Sequence, residues 1–207
     1  HMSGNRSRKL VRQSRALGIA LSPKAEKYMQ RRSYRPGEHG RGRVKDSDYS
    51  VRLKEKQRLR AQYGIREAQM KRVWEEARRA EGLSGENLVE LLEMRLDALA
   101  LRAGFARTIA QARQVVVHRH LLVDGKIVDR PSYRVRPGQV VQVKPRSQAS
   151  PQFHVAAQGA HRDVLPQVPD YLDVDLEKLR FTLVRRPKRA EVPVICDVQM
   201  VVEHYSR

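Results

Sequence analysis

The sequence predicts an α+β fold: a small helical domain joined to a unit of helices and antiparallel sheet, behind an extended basic N-terminal arm. Three observations predict it. Apolar residues recur at helical spacing between about residues 49 and 116. Short apolar runs separated by turn residues follow between about 121 and 184. Arg, Gly, Pro and Ser dominate the first 45 residues, where a regular element such as Arg35–Arg43 is poorly supported.

The helical part begins with a helix predicted from about Tyr49 to Tyr63, capped by Ser47 or Asp48 and ended by Gly64. A second helix is indicated by apolar residues at i, i+3, i+4 and i+7, which are Met70, Val73, Trp74 and Ala77. We interpret Trp74 as a core residue rather than a base-stacking platform. A third helix is predicted to start after Ser84 or Gly85 and to end at Gly104, through Leu88, Leu91, Leu92, Leu96 and Leu99.

The next segment is predicted to form a capped helix followed by a tight hairpin. Thr108 and Gln111 have the spacing of a capping box, in which each side chain satisfies a backbone amide at the helix start. The inward stripe of this helix is predicted to be Ile109, Ala112 and Val116. The opposite side then carries Arg107, Gln111, Gln114 and His118, with Arg113 on its shoulder.

The hairpin is predicted at Asp124–Gly125, because a two-residue loop of this type needs positive φ angles. Valines around Pro137–Gly138 suggest another strand pair. Farther along, Ser147–Pro151 is predicted to be a loop, Val164–Pro169 irregular, and Phe181–Val184 a strand. For Asp197–Tyr205 the pattern leaves helix and strand open.

Charge indicates a polyanionic partner. The net charge is +19, and residues 1–60 contain 18 Lys and Arg against 5 Asp and Glu. An excess of this size is best explained by nucleic acid, so the apolar-poor arm is expected to order only when phosphates neutralise it. The single Cys196 allows no internal disulfide and is interpreted as a small buried residue. Without a signal or membrane-spanning pattern, we expect a cytoplasmic protein.

The helix and hairpin segment resembles the S-four domain, an RNA-binding domain found in many unrelated proteins. The resemblance depends on Arg95–Asp97, Gly104–Phe105, Thr108–Ile109, Ala112–Gln114, His118, His120, Val123, Gly125, Val128–Asp129, Pro131–Tyr133 and Pro137–Gly138. Nearly the whole chain is also similar to the bacterial S-four family of small-subunit ribosomal proteins, at Arg15–Gly18, Pro36–Gly40, Asp48–Tyr49, Arg52–Leu53, Glu55–Gln57, Leu59–Arg60, Tyr63–Gly64, Gly85–Glu86, Val168–Pro169, Leu172 and Tyr205–Ser206.

The resemblance implies an S-four domain at 94–186 inserted into a helical domain at 47–93 plus 187–207, after an arm at 1–46. It implies a structural constituent of the small ribosomal subunit that binds small-subunit ribosomal RNA, nucleates assembly of the subunit body and influences translational accuracy, and that can repress its own messenger. The implied neighbours are ribosomal proteins three and five and messenger RNA near the entry channel. The alternative is a free-standing S-four-domain RNA-binding factor or RNA-modifying enzyme.

The residues predicted to bind RNA are Arg12, Arg15, Lys24, Arg41, Arg43, Arg52, Lys56, Arg58, Arg60, Arg95, Arg107, Arg113, Gln114, His118, Arg119, His120, Lys126, Tyr133 and Arg134. No catalytic motif is found, and no cofactor or enzymatic activity is expected. His118 and His120 lack a third ligand nearby, so metal binding is disfavoured, and hydrogen bonding to RNA competes with ordinary turn packing for their role. Without a cysteine before Cys196, the zinc site that some relatives carry in the arm is excluded.

Four residues raise more specific expectations. Arg95 falls among leucines and needs a carboxylate or RNA, but a direct pair with Asp97 is not expected, because i and i+2 side chains diverge on a helix. Arg119 stands where the family usually has Gly, so a positive φ there would cost about 1 kcal/mol. Tyr171 and His204 replace the family's usual Trp and Tyr, and each keeps a ring with a polar tip.

Overall fold

A computed structural model of the protein describes residues 2–31 and 47–207, with side chains from residue 8 onward. In these ranges the chain forms ten α-helices and a five-stranded sheet, which confirms the α+β prediction. Its contacts divide into two compact units, one of His1–Met70 with Val194–Arg207 and the other of Lys71–Pro193. These contact units group residues 71–93 with the sheet, and the domain boundaries implied by the resemblance stay a prediction.

The first unit contains α1 (Met2–Leu17), α2 (Pro23–Arg31), α3 (Asp48–Tyr63), the start of α4 (Glu67–Arg79) and, from the end of the chain, the helix Val198–Ser206. The prediction of an extended arm is therefore wrong for residues 2–31. Its helices exist because Val11, Leu17, Ile19 and Ala25 are buried in this unit. Residues 32–46, with Arg41, Arg43 and the Arg35–Arg43 stretch predicted to be irregular, lie outside the described residues.

Helix ends in the first unit follow local signals. The Ser47 side chain accepts a hydrogen bond from the amide of Ser50, and Gly64 ends α3 in the left-handed conformation, as predicted. The open choice at Asp197–Tyr205 is resolved as a helix whose N-cap is Asp197. This last helix packs along α3. Cys196 is half-buried, not fully buried as expected, and its Sγ lies 3.7 Å from the Glu55 carbonyl oxygen.

The second unit carries the rest of α4, then α5 (Ser84–Glu93), α6 (Leu96–Ala103) and α7 (Ile109–Val117). Met70, Trp74 and Ala77 are buried along α4, so the core interpretation of Trp74 is confirmed. The prediction of an uninterrupted third helix is wrong, because the helix is interrupted at Arg95, between α5 and α6. There the backbone is extended (φ −61°, ψ 142°), and the amide of Leu96 donates to the Tyr133 carbonyl oxygen at 2.8 Å.

The sheet is antiparallel throughout and consists of β1 (Leu121–Val123), β2 (Lys126–Ile127), β3 (Val140–Val143), β4 (Leu172–Asp175) and β5 (Arg180–Leu183). Its strand order is β2-β1-β3-β5-β4. The predicted hairpin at Asp124–Gly125 and the predicted strand at β5 are confirmed. The strand pair expected around Pro137–Gly138 is wrong, because β3 pairs with β1 and β5 instead.

Two short helices, α8 (Pro145–Gln148) and α9 (Pro151–Ala157), flank the predicted loop, which is shorter than Ser147–Pro151 because only Ala149 and Ser150 lie outside the helices. Each places a proline in its first turn, where the missing amide costs nothing. The segment Val164–Pro169 is irregular, as predicted. In the core, Phe105 and Phe181 meet at 5.4 Å between ring centroids, which packs the turn after α6 against β5.

Candidate nucleic-acid interface

Helix α7 is positioned by caps at its start. The Thr108 hydroxyl accepts from the amide of Gln111 at 3.1 Å. The reciprocal half of the predicted capping box is wrong, because the Gln111 side-chain oxygen accepts from the amide of Arg107 at 2.7 Å rather than from Thr108. The first bond satisfies an amide that the helix leaves unpaired, and the second binds the residue before the N-cap, so together they fix the direction in which α7 leaves the turn.

The exposed side of α7 is close to the predicted one. Ala112, Val115 and Val116 are buried, whereas Ile109 is only half-buried. The exposed residues include Arg107, Gln114 and His118, as the helical wheel indicated, and also Val117. Polar and cationic groups on one accessible helix side can donate to phosphate oxygens.

Arg113 is held on this side by a buried carboxylate. Asp97 is fully buried, and its carboxylate accepts from Nε and Nη2 of Arg95, both at 3.1 Å. Nε of Arg113 lies 3.7 Å from the same carboxylate, with 38% of its side chain exposed. The expectation that Arg95 and Asp97 do not pair is wrong, because Arg95 lies at the break between two helices and the divergence of i and i+2 does not apply.

The turn after α7 carries the family departure at Arg119. Its φ is +65°, so the strained conformation foreseen for a non-glycine residue is present. Its guanidinium forms a 3.0 Å ion pair with Asp129 while 59% of the side chain stays exposed. The charge is therefore fixed at the surface next to β1 and remains accessible to a second anion.

His120 is held by packing contacts. Its Nδ1 lies 2.7 Å from the Ser147 hydroxyl, and its ring meets Phe153 edge to face at 5.2 Å between centroids. Burial lowers the pKa of His120, and the nearby charges of Lys144 and His118 lower it further. The imidazole is consequently disposed to stay neutral at physiological pH.

Three more predicted residues lie on or after the hairpin. Lys126 is exposed on β2. The Tyr133 hydroxyl is 3.2 Å from the side-chain oxygen of Gln139, so its polar tip is occupied within the protein. Arg134 is joined by both terminal nitrogens, at 2.5 and 2.8 Å, to the carboxylate of Glu76.

In the first unit, Arg12 and Lys24 are exposed, and the Arg15 guanidinium lies 5.7 Å from the centre of the Tyr28 ring. Along α3, Lys56 is buried and its Nζ is 2.7 Å from the carboxylate of Glu67. Burial acts to raise the pKa of Glu67, but hydrogen bonds from Lys56 and Gln57 outweigh it and leave that pKa below its usual value.

The remaining α3 cations face the protein. Nε of Arg58 donates to the Leu17 carbonyl oxygen at 2.6 Å, and Nη1 of Arg60 donates to that of Ile65 at 2.8 Å. Arg52 is half-buried, and its Nε has no hydrogen-bond partner in the described part of the chain. Among the described α3 cations, Arg52 thus has a buried donor that is not used within the protein.

Sequence reasoning missed His161 and Arg162. Both follow α9, and Nη2 of Arg162 donates to the Arg102 carbonyl oxygen at 3.2 Å, which brings them beside the start of α7. Arg107 is close enough to lower the pKa of His161, although burial is the larger cause. No local pattern could have found this proximity, because about 55 residues separate the two parts of the chain.

Among residues 2–31 and 47–207, no group of three or more His, Cys, Asp and Glu side chains could hold a metal ion. Within the same ranges, no helix combines the length and apolar character needed to cross a membrane.

Comparisons with known proteins identify the family of the chain. Residues 5–93 match the family described as "Ribosomal protein S4/S9 N-terminal domain", and residues 94–141 match the "S4 domain". The chain is 74% identical to "Small ribosomal subunit protein uS4" of Beutenbergia cavernae, with 99% of each chain covered. It is 72% identical to the protein of that name from Arthrobacter sp. (99% of each) and 70% identical to that from Micrococcus luteus (100% of each). The chain therefore belongs to the uS4 family of small-subunit ribosomal proteins.

Proposed function

We propose that this protein is a structural constituent of the small ribosomal subunit and binds small-subunit ribosomal RNA directly, without catalysing a reaction. The observation that carries the proposal is the polar and basic surface formed by α7, the following turn and β2. It consists of Arg107, Arg113, Gln114, His118, Arg119 and Lys126, which we call the α7 face. The charge excess of the whole chain and its family membership support the same conclusion.

The predicted RNA-binding residues divide into two roles under this proposal. Those on the α7 face, with Arg12, Lys24 and the cations of the arm, contact phosphates directly. Buried or internally bonded basic residues, including Lys56, Arg58, Arg60, Arg95, Arg134 and His120, hold the elements that present the first group. This division follows from exposure and from the donors already used, because Arg134 bonds to Glu76 through both terminal nitrogens, whereas Arg119 bonds to Asp129 through one.

The binding mechanism is electrostatic. Each cation that neutralises a phosphate releases condensed counterions, so affinity falls as salt rises. Several such contacts on separate RNA helices hold a junction in one arrangement, to which later proteins can bind. We propose on this basis that the protein acts early in assembly of the subunit body. Roles in translational accuracy and in repression of its own messenger, and contacts with ribosomal proteins three and five and with messenger RNA near the entry channel, rest on the family resemblance.

The test compares two triple variants in binding to small-subunit ribosomal RNA, with heparin as competitor. Replacing Arg107, Arg113 and Arg119 by Ala is expected to weaken binding about tenfold or more near physiological salt. It should also reduce the log-log salt slope by about 0.7 to 0.9 for each phosphate that the variant no longer neutralises. The control replaces Arg78, Arg79 and Lys178, which removes the same charge from exposed sites beside Glu75 and Asp175.

Equal affinity of both variants would exclude the α7 face from the interface. Absence of any preference of the unchanged protein for ribosomal RNA over heparin would contradict the proposal as a whole. Circular dichroism of each variant establishes that the fold is retained, so that weaker binding reports on the RNA interface itself.

A further inference from the structure

Three basic side chains from distant parts of the chain converge beside the turn between α6 and α7. They are Arg107, His161 and Arg162, which we call the turn cluster. The Arg162 guanidinium lies over Gly104, where an added Cβ would fall well inside van der Waals contact with it. Its Nη2 donates to the Arg102 carbonyl oxygen at 3.2 Å. Glycine at 104 therefore makes room for a cation held directly against the turn.

The turn cluster contains unused hydrogen-bonding capacity. His161 is only 7% exposed, yet neither of its ring nitrogens has a partner in the described part of the chain. Nε and Nη1 of Arg162 are likewise buried without a partner there. Each such group costs free energy when it stays unpaired, so four nitrogens in one place destabilise the free protein. Within the described ranges, no carboxylate forms an ion pair with any of the three side chains.

A ligand that satisfied this cluster would be an anion with several acceptor oxygens. Arg162 offers Nη1 as a donor, because its Nε and Nη2 edge lies over Gly104, and the exposed Arg107 adds a second cation from the start of α7. The amide at position 107 is already taken by Gln111, so the side chains rather than the helix terminus provide the site. A tetrahedral phosphate group matches this donor set, since its oxygens can accept from imidazole and guanidinium at once.

We propose that the turn cluster binds a phosphate of the RNA backbone, as a second contact separate from the rest of the α7 face. This proposal rests on the proposed function and deepens it, because it adds His161 and Arg162 to the binding surface. A phosphate contact of this kind fixes register and orientation on the RNA without reading its sequence. A buried, prearranged pair also loses less side-chain freedom on binding than an exposed lysine does.

The titration of His161 supports the same role. Burial lowers its pKa, and the charges of Arg107 and Arg162 lower it further, so the free imidazole is disposed to be neutral. A phosphate placed among the three groups would offset both repulsions and raise that pKa. Binding is then expected to protonate His161.

The experiment uses the full chain and follows the His161 imidazole by nitrogen-15 NMR during addition of inorganic phosphate and, separately, of small-subunit ribosomal RNA. Both ligands are expected to shift the His161 resonances and to raise its pKa. In parallel, Arg162→Gln is expected to reduce the log-log salt slope for RNA by about 0.7 to 0.9, the value for one phosphate. The control Lys178→Gln removes one exposed charge and should leave the slope unchanged.

A second variant guards against misfolding. Arg162→Lys keeps the charge but not the planar donors, so it should fold and fall between the unchanged protein and Arg162→Gln in affinity. The proposal would be overturned if Arg162→Gln left the salt slope for RNA unchanged and neither ligand shifted the His161 resonances, although the unchanged protein still preferred ribosomal RNA to heparin. A His161 response to inorganic phosphate with no change in the RNA slope would overturn the assignment to the RNA backbone. A failure of the proposed function itself would look different, because the unchanged protein would then bind ribosomal RNA no more tightly than heparin, whether or not the His161 resonances shifted.

Discussion

Asp97 shows how one buried residue can organise an exposed one. Its carboxylate has no solvent exposure and serves Arg95, which is buried, and Arg113, which is partly exposed. The Ala98 amide also donates to it at 2.7 Å, so its charge is met from three directions. A carboxylate so surrounded fixes the direction of Arg113 before RNA arrives, which reduces the side-chain entropy lost on binding.

Asp97→Asn tests this arrangement. Removing the charge leaves the Arg95 guanidinium buried without a carboxylate partner, which is expected to lower the free energy of unfolding by about 3 to 5 kcal/mol. The control is Asp129→Asn, which removes the exposed partner of Arg119 and is expected to cost about 1 kcal/mol or less. Urea unfolding of both variants measures the difference. Similar destabilisation in the two variants would show that burial does not strengthen the Asp97 contacts.

Gly104 offers a second residue-scale prediction, because it has a matched partner. Gly104 and Gly138 share a φ of +91°, but a Cβ at 138 would meet nothing within 4 Å, whereas at 104 it would meet Arg162. Gly138→Ala should therefore cost about 1 kcal/mol from backbone strain alone. Gly104→Ala should cost more, because Arg162 must also move. If the two variants were equally destabilised in thermal unfolding, the Arg162 side chain would move away from position 104 without a free-energy cost.

At the scale of elements, the sequence was most informative where structure depends on neighbours in the chain. The N-cap at Thr108, the Asp124–Gly125 turn and the end of α3 at Gly64 each follow from residue types within four positions. The break at Arg95 follows from contacts with the Tyr133 region, which no local pattern contains. Sheet order is likewise nonlocal, since β3 pairs with β5 across α8 and α9.

Thr108→Ala tests how far the cap supports α7 as an element. Loss of the bond to the Gln111 amide is expected to reduce the unfolding free energy by about 1 kcal/mol and to fray the first turn. Amide hydrogen exchange in α7 should increase, with RNA affinity falling through the displaced Arg107 and Arg113. Ser132→Ala, at an exposed position outside any helix, serves as the control. Unchanged exchange would show that the Gln111 bond to Arg107 suffices alone.

At the scale of the whole molecule, charge predicted the class of partner better than it predicted local structure. The excess of Lys and Arg among residues 1–60 suggested an extended arm, yet α1 and α2 are helical because apolar residues such as Val11 and Leu17 are buried. Composition gives the average charge of a segment and does not show that a few apolar residues are enough to bury one side of a helix. For the same reason it could not identify the turn cluster, whose members are brought together only by the fold.

The free protein is also expected to lose stability in mild acid. Burial and nearby cations lower the pKa of His120, His161 and His204 in the two units. Because each folded pKa lies below the unfolded value of about 6.5, the unfolded chain binds more protons between the two values. The stabilisation is therefore complete above about pH 6.5 and declines as the pH falls through the folded pKa values.

Unfolding free energies between pH 7.5 and 5, approximately the range in which histidine titrates, measure this decline. Replacing His120, His161 and His204 by Gln should make the curve flatter than that of the unchanged protein. A curve as steep as that of the unchanged protein would assign the decline to carboxylates. Bound RNA should also make the decline in stability smaller. A phosphate beside His161 would raise the pKa of that residue in the folded state, so the folded and unfolded states would differ less in the number of protons bound.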